Sequence, residues 1–328
     1  MRAGWYERNG AAREVLTIGE LPTPQAGPGE VRVRVHASGV NPSDVKRRAG
    51  FRGQTITDPR VIPHSDGAGI IDQLGPGVTN ARLGERVWLH SAQWQRPFGT
   101  AAEHVAVPAA LATRLPNNTD FAAGACIGIP VMTAHRCVFA DGMVTGRTVL
   151  VSGGAGAVGF YAIQLAKWGG ARVITTVSSE AKQAAALHAG ADIVINYKLT
   201  DVAEEIRRAI GPDAVDRIVE VDFGANLPTN LKVLKPGGTI VSYASMAAPE
   251  PALPFYGLMA KNVLMRLVLV YNMGAEAIAA ACADITRWLE SGDRVHQVAA
   301  QFPLDQLAAA HEAVEAGNKI GCVVVDLA

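Results

Sequence analysis

Three glycines spaced as Gly154-x-Gly156-x-x-Gly159 follow the apolar run Thr148–Ser152 and precede a stretch in which Val158, Ala162, Leu165 and Trp168 recur at helical spacing. A strand, a glycine turn and a helix in that order bring main-chain N–H groups and a helix N-terminus to one point, which suits a pyrophosphate. The first glycine permits the tight bend, the second lets the phosphates approach the main chain, and the third lets helix and strand pack closely. A merely glycine-rich turn is the competing reading, and the five further strands described below argue against it. The second strand ends Thr175-Thr176-Val177-Ser178-Ser179-Glu180-Ala181-Lys182, with serine where an acid would accept hydrogen bonds from a ribose 2′-hydroxyl. Ser178 leaves room for a 2′-phosphate and Lys182 offers it a positive charge, so NADP(H) is the expected cofactor. Glu180, two residues later, and a solvated role for Lys182 are the counter-readings.

Further candidates precede the turn. Lys46-Arg47-Arg48-Ala49-Gly50-Phe51-Arg52 concentrates four cations, which suits either attraction of an anionic substrate, with Lys46 stabilising an oxyanion, or a solvated basic turn. His64 and Asp66 are read as structural hydrogen-bonding residues rather than an acid–base pair. Tyr243 and Tyr271 are candidate proton donors, and Trp88, Trp94 and Phe98 line either a pocket or the core. His311-Glu312 begins like a zinc-protease motif, but its fifth position is Glu315. Cys126, Cys137, Cys282 and Cys322 are scattered without a CxxC pair, which predicts reduced thiols, a cytoplasmic setting and, for Cys126 and Cys322, a role as small buried hydrophobes.

The elements that position these residues follow from composition and period. The chain has 328 residues, 49% hydrophobic and 18% charged, enough for two folded domains rather than a disordered or tail-bearing protein. Thirty basic side chains balance thirty acidic ones, so no long-range positive field favours nucleic acid or an anionic membrane. No export signal is visible at Met1–Glu7, and the uncharged stretch Thr148–Ala166 is interrupted by glycines that a membrane helix would not carry. Residues 1 to about 124 are rich in Gly and Pro with alternating runs such as Val31–Val35, which predicts a β-rich domain. Six apolar strands then alternate with helical segments: Thr148–Ser152, Arg172–Val177, Asp192–Asn196, Arg217–Val221, Thr239–Tyr243 and Val263–Val270. The expected fold is α/β, a six-stranded doubly wound parallel sheet of Rossmann type joined to a β-rich domain. Helices over Ala275–Glu290 and Leu304–Ala316 and a strand over Ile320–Val325 are expected to return to the first domain, giving a catalytic domain of residues 1–124 and 271–328 around an NADP-binding domain of residues 125–270.

The chain resembles the medium-chain dehydrogenases and reductases, and within them the zinc-free quinone oxidoreductases that include zeta-crystallin. The resemblance covers essentially the whole chain and rests on Asn41-Pro42-Ser43-Asp44, Pro63-His64-Ser65-Asp66-Gly67-Ala68-Gly69, Leu83-Gly84-Glu85-Arg86-Val87, the glycine turn, Ile195-Asn196-Tyr197 and Leu234-Lys235-Pro236-Gly237-Gly238. It implies a GroES-like first domain. It also implies that Gly156, Ala157 and Val158 line the pyrophosphate, Lys182 and Tyr197 the 2′-phosphate, and Asn41 and Thr133 the nicotinamide, with Phe223, Tyr243, Ser245, Val268, Val270 and Asn318 completing the cofactor cleft. Zinc-dependent relatives place Cys, His and Cys where this chain has Asn41, Ser65 and Ile129 or Pro130, and the structural four-cysteine lobe is missing, so no metal is expected. Where the quinone oxidoreductases carry a Tyr two residues after Asp44, this chain has Lys46.

The expected activity is zinc-independent hydride transfer from NADPH to an apolar electrophile, a quinone or the activated C=C bond of an enone or enal. Asn41, Lys46 and Tyr243 are the candidate catalytic residues. The alternatives are an enoyl reductase acting on acyl thioesters and a non-catalytic NADPH-binding structural or sensing protein. The apolar last strand Val263–Val270 predicts a homodimer formed through that sheet edge.

Overall fold

A computed structural model describes residues 1–327 in two compact units. One, here the split unit, comprises Met1–Ile129 and the chain from Cys282 onward; the other, the inserted unit, is Pro130–Ala281. Boundaries expected near 124 and 270 thus fall at 129 and 281. The second boundary falls inside the helix Ala275–Glu290, so the change of texture at 270 is not itself a change of unit.

In the inserted unit six parallel strands stand in the spatial order Ile193–Asn196, Arg172–Val177, Thr148–Val151, Val215–Glu220, Leu234–Ser242, Leu264–Leu267. The chain builds outward from Thr148–Val151 on one side, then returns to build outward on the other. That reversal is the doubly wound arrangement expected from the strand-and-helix alternation. Ile193, Ile174, Leu150, Ile218 and Ile240 stand in register across the sheet and, with Ile206, Phe223 and Leu227, form an apolar core. The first crossover helix is Ala157–Trp168, ended at Gly169. It is buried at every position from Gly159 to Ala166, so it is a core helix rather than one with a single apolar face. Leu264–Leu267 is the edge strand, with Leu264, Met265, Leu267 and the following Leu269 exposed.

The split unit is a seven-stranded sheet in which Glu30–Val40 is the hub, paired antiparallel with Asp66–Leu74, His104–Pro108 and the C-terminal strand Cys322–Asp326. The expected alternation is present: Val31, Val33 and Val35 point into a core with Ile71, Val87, Leu89, Val105 and Val107. Val40, Val45, Leu304, Leu307, Val323 and Val325 form a second cluster around the helices Pro42–Ala49 and Leu307–Glu315. Among the described residues no helix is long and apolar enough to cross a membrane.

Candidate active site

Parallel strands end on one edge, so whatever follows their carboxyl ends is gathered there. In the inserted unit each of the six strands is followed at once by expected cofactor residues. The glycine turn follows Thr148–Val151, Ser178 follows Arg172–Val177, and Tyr197 follows Ile193–Asn196. Phe223 follows Val215–Glu220, Tyr243 and Ser245 follow Leu234–Ser242, and Val268 and Val270 follow Leu264–Leu267.

The glycines of the turn divide their work differently from the sequence expectation. The left-handed bend belongs to Gly153, with φ of +70°, one residue before the motif. Gly154 is required by packing, since a Cβ there would lie 2.0 Å from Thr175 Oγ1. A Cβ at Gly159 would lie 2.3 Å from the Gly153 carbonyl oxygen, so helix and turn are in main-chain contact. Gly156 is exposed, caps the helix without a side chain, and has nothing nearer to an added Cβ than 3.3 Å, also the Gly153 carbonyl. Its missing side chain leaves open the approach to the helix N-terminus, where Ala157 and Val158 are part-exposed.

Lys182 Nζ donates to Ser178 Oγ at 3.1 Å, while Ser179 caps the helix Glu180–His188 by accepting from Lys182 N–H at 3.3 Å. Tyr197 N–H donates to the Val177 carbonyl at 3.1 Å, which sets Tyr197 beside the same strand end with its ring half-exposed. Glu180 is exposed in the first turn of that helix. Sequence reasoning passed over Glu220. Fully buried at the point where the sheet reverses, its carboxylate accepts from Ser152 Oγ at 2.9 Å, Asn230 Nδ2 at 2.8 Å, Asp222 N–H at 2.7 Å and Asn226 Nδ2 at 2.8 Å. It ties the residue before the glycine turn to the start of the helix Phe223–Val233. The available signal was a carboxylate inside the apolar run Ile218-Val219-Glu220-Val221. Phe223 N–H bonds the Ala244 carbonyl at 3.0 Å, and Ser245 Oγ accepts from Gly224 N–H at 3.0 Å, so Phe223 and Ser245 are placed by one small network. Tyr243 is part-exposed, and desolvation, then Cys137 and Glu220, push its phenol well above its usual range. Thr133 is buried on the helix Met132–Phe139.

The split unit builds a second cluster around Asn41, the N-cap of the helix Pro42–Ala49. Two buried carboxyl groups clasp it: Asp44 accepts from the Asn41 main-chain N–H at 2.7 Å and Asp66 accepts from Asn41 Nδ2 at 2.7 Å. Asp66 also accepts from Ile129 N–H at 2.8 Å. Burial pushes Asp44 up to about 7 and Asp66 well above the carboxylate range. An amide nitrogen has two N–H donors, and Asp66 takes one of them.

The basic run proves to be two different things. Arg48 is fully buried, and Arg47 donates to the Gln93 carbonyl at 3.1 Å, so neither is a solvated charge. Lys46 and Arg52 remain at the helix end around Phe51, with Lys46 Nζ 5.1 Å from the ring centroid. Desolvation, then Arg52, lower the Lys46 ammonium. Trp88 belongs to the core, Phe98 is half-exposed, and Asn318 is exposed near the C-terminus. Cys126 and Cys322 are buried as expected, and Cys126 Sγ donates to the Ala122 carbonyl at 3.3 Å.

The donors do not fit a catalytic zinc, which needs three Cys, His or carboxylate ligands and an open position. The Asn41 amide is engaged by Asp66, Ser65 offers only a hydroxyl, and Cys126 donates to a carbonyl. Among the described residues no group of three or more His, Cys, Asp or Glu side chains is arranged to hold a metal.

The family "Alcohol dehydrogenase GroES-like domain" matches residues 27–117 and the family "Zinc-binding dehydrogenase" matches residues 157–287. A quinone oxidoreductase of Rattus norvegicus is 30% identical over 309 residues, 93% of this chain and 91% of the relative. A chloroplastic NADPH-dependent alkenal/one oxidoreductase of Arabidopsis thaliana is 28% identical over 99% of this chain and 79% of its own length. Among solved structures, a mycobacterial protein complexed with NADPH superposes with a TM-score of 0.86 at 28% identity, and an NAD-dependent alcohol dehydrogenase with 0.90 at 30%, each over the whole of both chains.

Proposed function

The chain belongs to the zinc-free quinone oxidoreductase branch of the medium-chain dehydrogenases and reductases, and on that premise we propose its reaction and the residues that serve it. It is a zinc-independent, NADPH-dependent oxidoreductase that transfers hydride to a quinone or to the activated C=C bond of an enone or enal. The inserted unit holds the cofactor: Gly154, Gly156, Ala157, Val158 and Gly159 receive the pyrophosphate on main-chain N–H groups, and Ser178, Lys182 and Tyr197 receive the 2′-phosphate. Thr133, Phe223, Tyr243, Ser245, Val268 and Val270 are the inserted unit's further cofactor residues, and Asn41 and Asn318 are the candidates that the split unit carries. The bound cofactor supplies the hydride. Asn41 offers its second amide N–H to an oxygen of the bound pair, Lys46 stabilises negative charge on the reduced acceptor, and Tyr243 is the further candidate to hold a proton.

The observation that carries this reading is the set of expected residues at all six strand ends, with Lys182 hydrogen-bonded to Ser178 where an NAD site would end in an acid. Initial rates of NADPH and NADH oxidation against a panel of quinones and enones test it. Faster oxidation of NADPH is expected; saturable NADPH binding with no turnover of any acceptor would leave the non-catalytic alternative standing.

A homodimer through the edge strand Leu264–Leu267 completes the proposal, since its exposed leucines and methionine are a liability unless covered by a second copy. Leu267→Glu is expected to halve the mass measured by light scattering. Four free, scattered thiols suit a reducing cytoplasm.

A further inference from the structure

Side chains from distant stretches of the split unit form one continuous hydrogen-bond path. Arg48 Nε lies 3.4 Å from His311 Nδ1, His311 Nε2 lies 3.0 Å from His64 Nε2, and His64 Nδ1 lies 2.8 Å from Ser38 Oγ. Ser38 Oγ lies 2.7 Å from Thr100 Oγ1, whose hydroxyl bonds the Asp66 carbonyl. All six residues are fully buried.

The two ends fix the direction of every bond between them. A guanidinium only donates and a carbonyl only accepts. His311 Nδ1 must therefore accept from Arg48, which puts the His311 proton on Nε2. His64 then accepts at Nε2 and carries its own proton on Nδ1, where it donates to Ser38. Ser38 donates to Thr100, and Thr100 to Asp66. Both rings are held neutral, because burial lowers His64 to about 3 and His311 well below its usual range, with His64 and Arg48 adding to the second shift. A protonated His311 would set two donors face to face. The Arg48 charge is answered by Glu315 and by the Gly10 carbonyl.

The path closes on the helix from which it starts. Arg48 stands near the C-terminus of Pro42–Ala49, Asn41 is its N-cap, and Asp66, whose main-chain carbonyl ends the path, holds Asn41 Nδ2 with its side-chain carboxyl. A second observation points the same way: His64 has φ of +80°, a left-handed conformation that favours glycine, and strain of this kind persists where its surroundings over-determine it.

We propose that His64 and His311 are positioning residues which, with Arg48, lock the helix Pro42–Ala49 at both ends, so that the Asn41 amide and the Lys46 ammonium meet the acceptor in one fixed orientation. The functional half of this statement rests on the reading of Asn41 and Lys46 given above; the proton order does not.

Nitrogen-15 NMR of histidine-labelled protein tests the proton order without turnover. The expected result is His64 as the Nδ1–H tautomer and His311 as the Nε2–H tautomer, both neutral at pH 7; the opposite tautomers would overturn the proposal, even in a protein that reduces no acceptor. Variants test the positioning. His311→Leu removes both bonds, whereas His311→Gln keeps one acceptor and one donor. His311→Leu is expected to lower kcat for quinone reduction by about 10- to 100-fold, with the dissociation constant for NADPH within about twofold of the parent protein. His311→Gln is expected to restore kcat to within about threefold. Equal loss in the two variants, or a folded His311→Leu protein with parental kcat, would overturn the positioning role. If His311→Leu does not fold, His311→Gln and the tautomer spectrum still decide: parental tautomers with restored kcat support the proposal, and altered tautomers with undiminished kcat refute it.

Discussion

The carboxyl edge of the inserted unit and the Asn41 cluster of the split unit hold their polar groups in opposite ways. At the edge, main-chain N–H groups and two part-exposed side chains face outward, and the absence of a side chain at Gly156 leaves their approach open. Around Asn41, carboxyls, imidazoles and hydroxyls are buried and satisfied by one another through direct hydrogen bonds. The first arrangement suits a charged ligand that brings its own binding energy. The second suits a single donor that must not move. The contrast leads to the expectation that changes at the edge act on affinity, and changes around Asn41 on kcat and on the pH dependence of stability.

The largest effect is expected at Gly159, where an added Cβ meets the main-chain oxygen of Gly153 at 2.3 Å. Gly159→Ala forces helix and turn apart, with an overpacking cost of about 1–3 kcal/mol, a lowered melting temperature and NADPH affinity reduced by roughly 100-fold or more. Gly156→Ala is the sharper probe, because its neighbour at 3.3 Å needs to give by only a few tenths of an ångström. It should melt close to the parent temperature yet lose affinity by about tenfold or more, through crowding at the phosphates. Fluorescence titration and thermal melts check both, and equal affinity in Gly156→Ala would break the reading of the edge as an anion site.

Next in size are the opposed pH slopes of the buried groups in the split unit. His64 and His311 have lowered folded pKa values, so the unfolded chain takes up protons below about 6.5 and stability falls with acid. Asp44 has a raised value, about 7, so the unfolded carboxylate is favoured progressively from its usual range up to that pH and stability falls with alkali. Asp66 shares that sign. His64 costs about 2 kcal/mol at pH 5, and Asp44 costs about 2–3 kcal/mol more at pH 7.5 than at pH 5. The two kinds of group oppose one another in the parent protein, and variants separate them. His311→Gln should gain stability at pH 5 relative to pH 7.5, and Asp44→Asn about 2–3 kcal/mol at pH 7.5 relative to pH 5, measured by denaturant unfolding at the two pH values.

The same contrast explains what was legible in the sequence. All six strands of the inserted unit could be read, because a strand, its turn and its helix are consecutive and a glycine's role is local. Even there the left-handed bend was assigned to Gly154 rather than Gly153, and Glu220, whose four partners lie on either side of the sheet reversal, was missed. Around Asn41 the individual residues drew notice, but their connections did not, since His64 and His311 are 247 positions apart and nothing in the period of either segment announces the other. Arg48 looked like one of four solvated cations for the same reason: the partners that bury it, Glu315 and His311, are on a helix near the C-terminus.

Lys182 tests the edge at smaller scale. Its ammonium is held by Ser178, and on the proposed reading it makes a single charge-assisted contact to a 2′-phosphate, worth about 1.5–3 kcal/mol. Lys182→Ala should weaken NADPH by about 10- to 100-fold and leave NADH within about twofold. Equal losses for the two cofactors would mean that the 2′-phosphate is held elsewhere, and would detach Ser178 and Tyr197 from that role as well.

Lys46 should give the smallest effect, and it is the residue on which the two regions' behaviour is most easily confused. Its ammonium is part-buried against Phe51 with Arg52 close by, and desolvation, then Arg52, lower its pKa, so that it releases its proton more readily than a solvated lysine. If it only draws anionic acceptors to the site, Lys46→Gln raises KM for a carboxylate-bearing enone by about threefold, leaves kcat unchanged, and loses its effect in high salt. If it stabilises charge on the reduced acceptor, kcat falls by about tenfold for neutral quinones as well, and salt does not rescue it. The second outcome is expected, because the helix that carries Lys46 is pinned at Asn41 and at Arg48, and a charge held this firmly acts on a bound acceptor rather than on one still in solution.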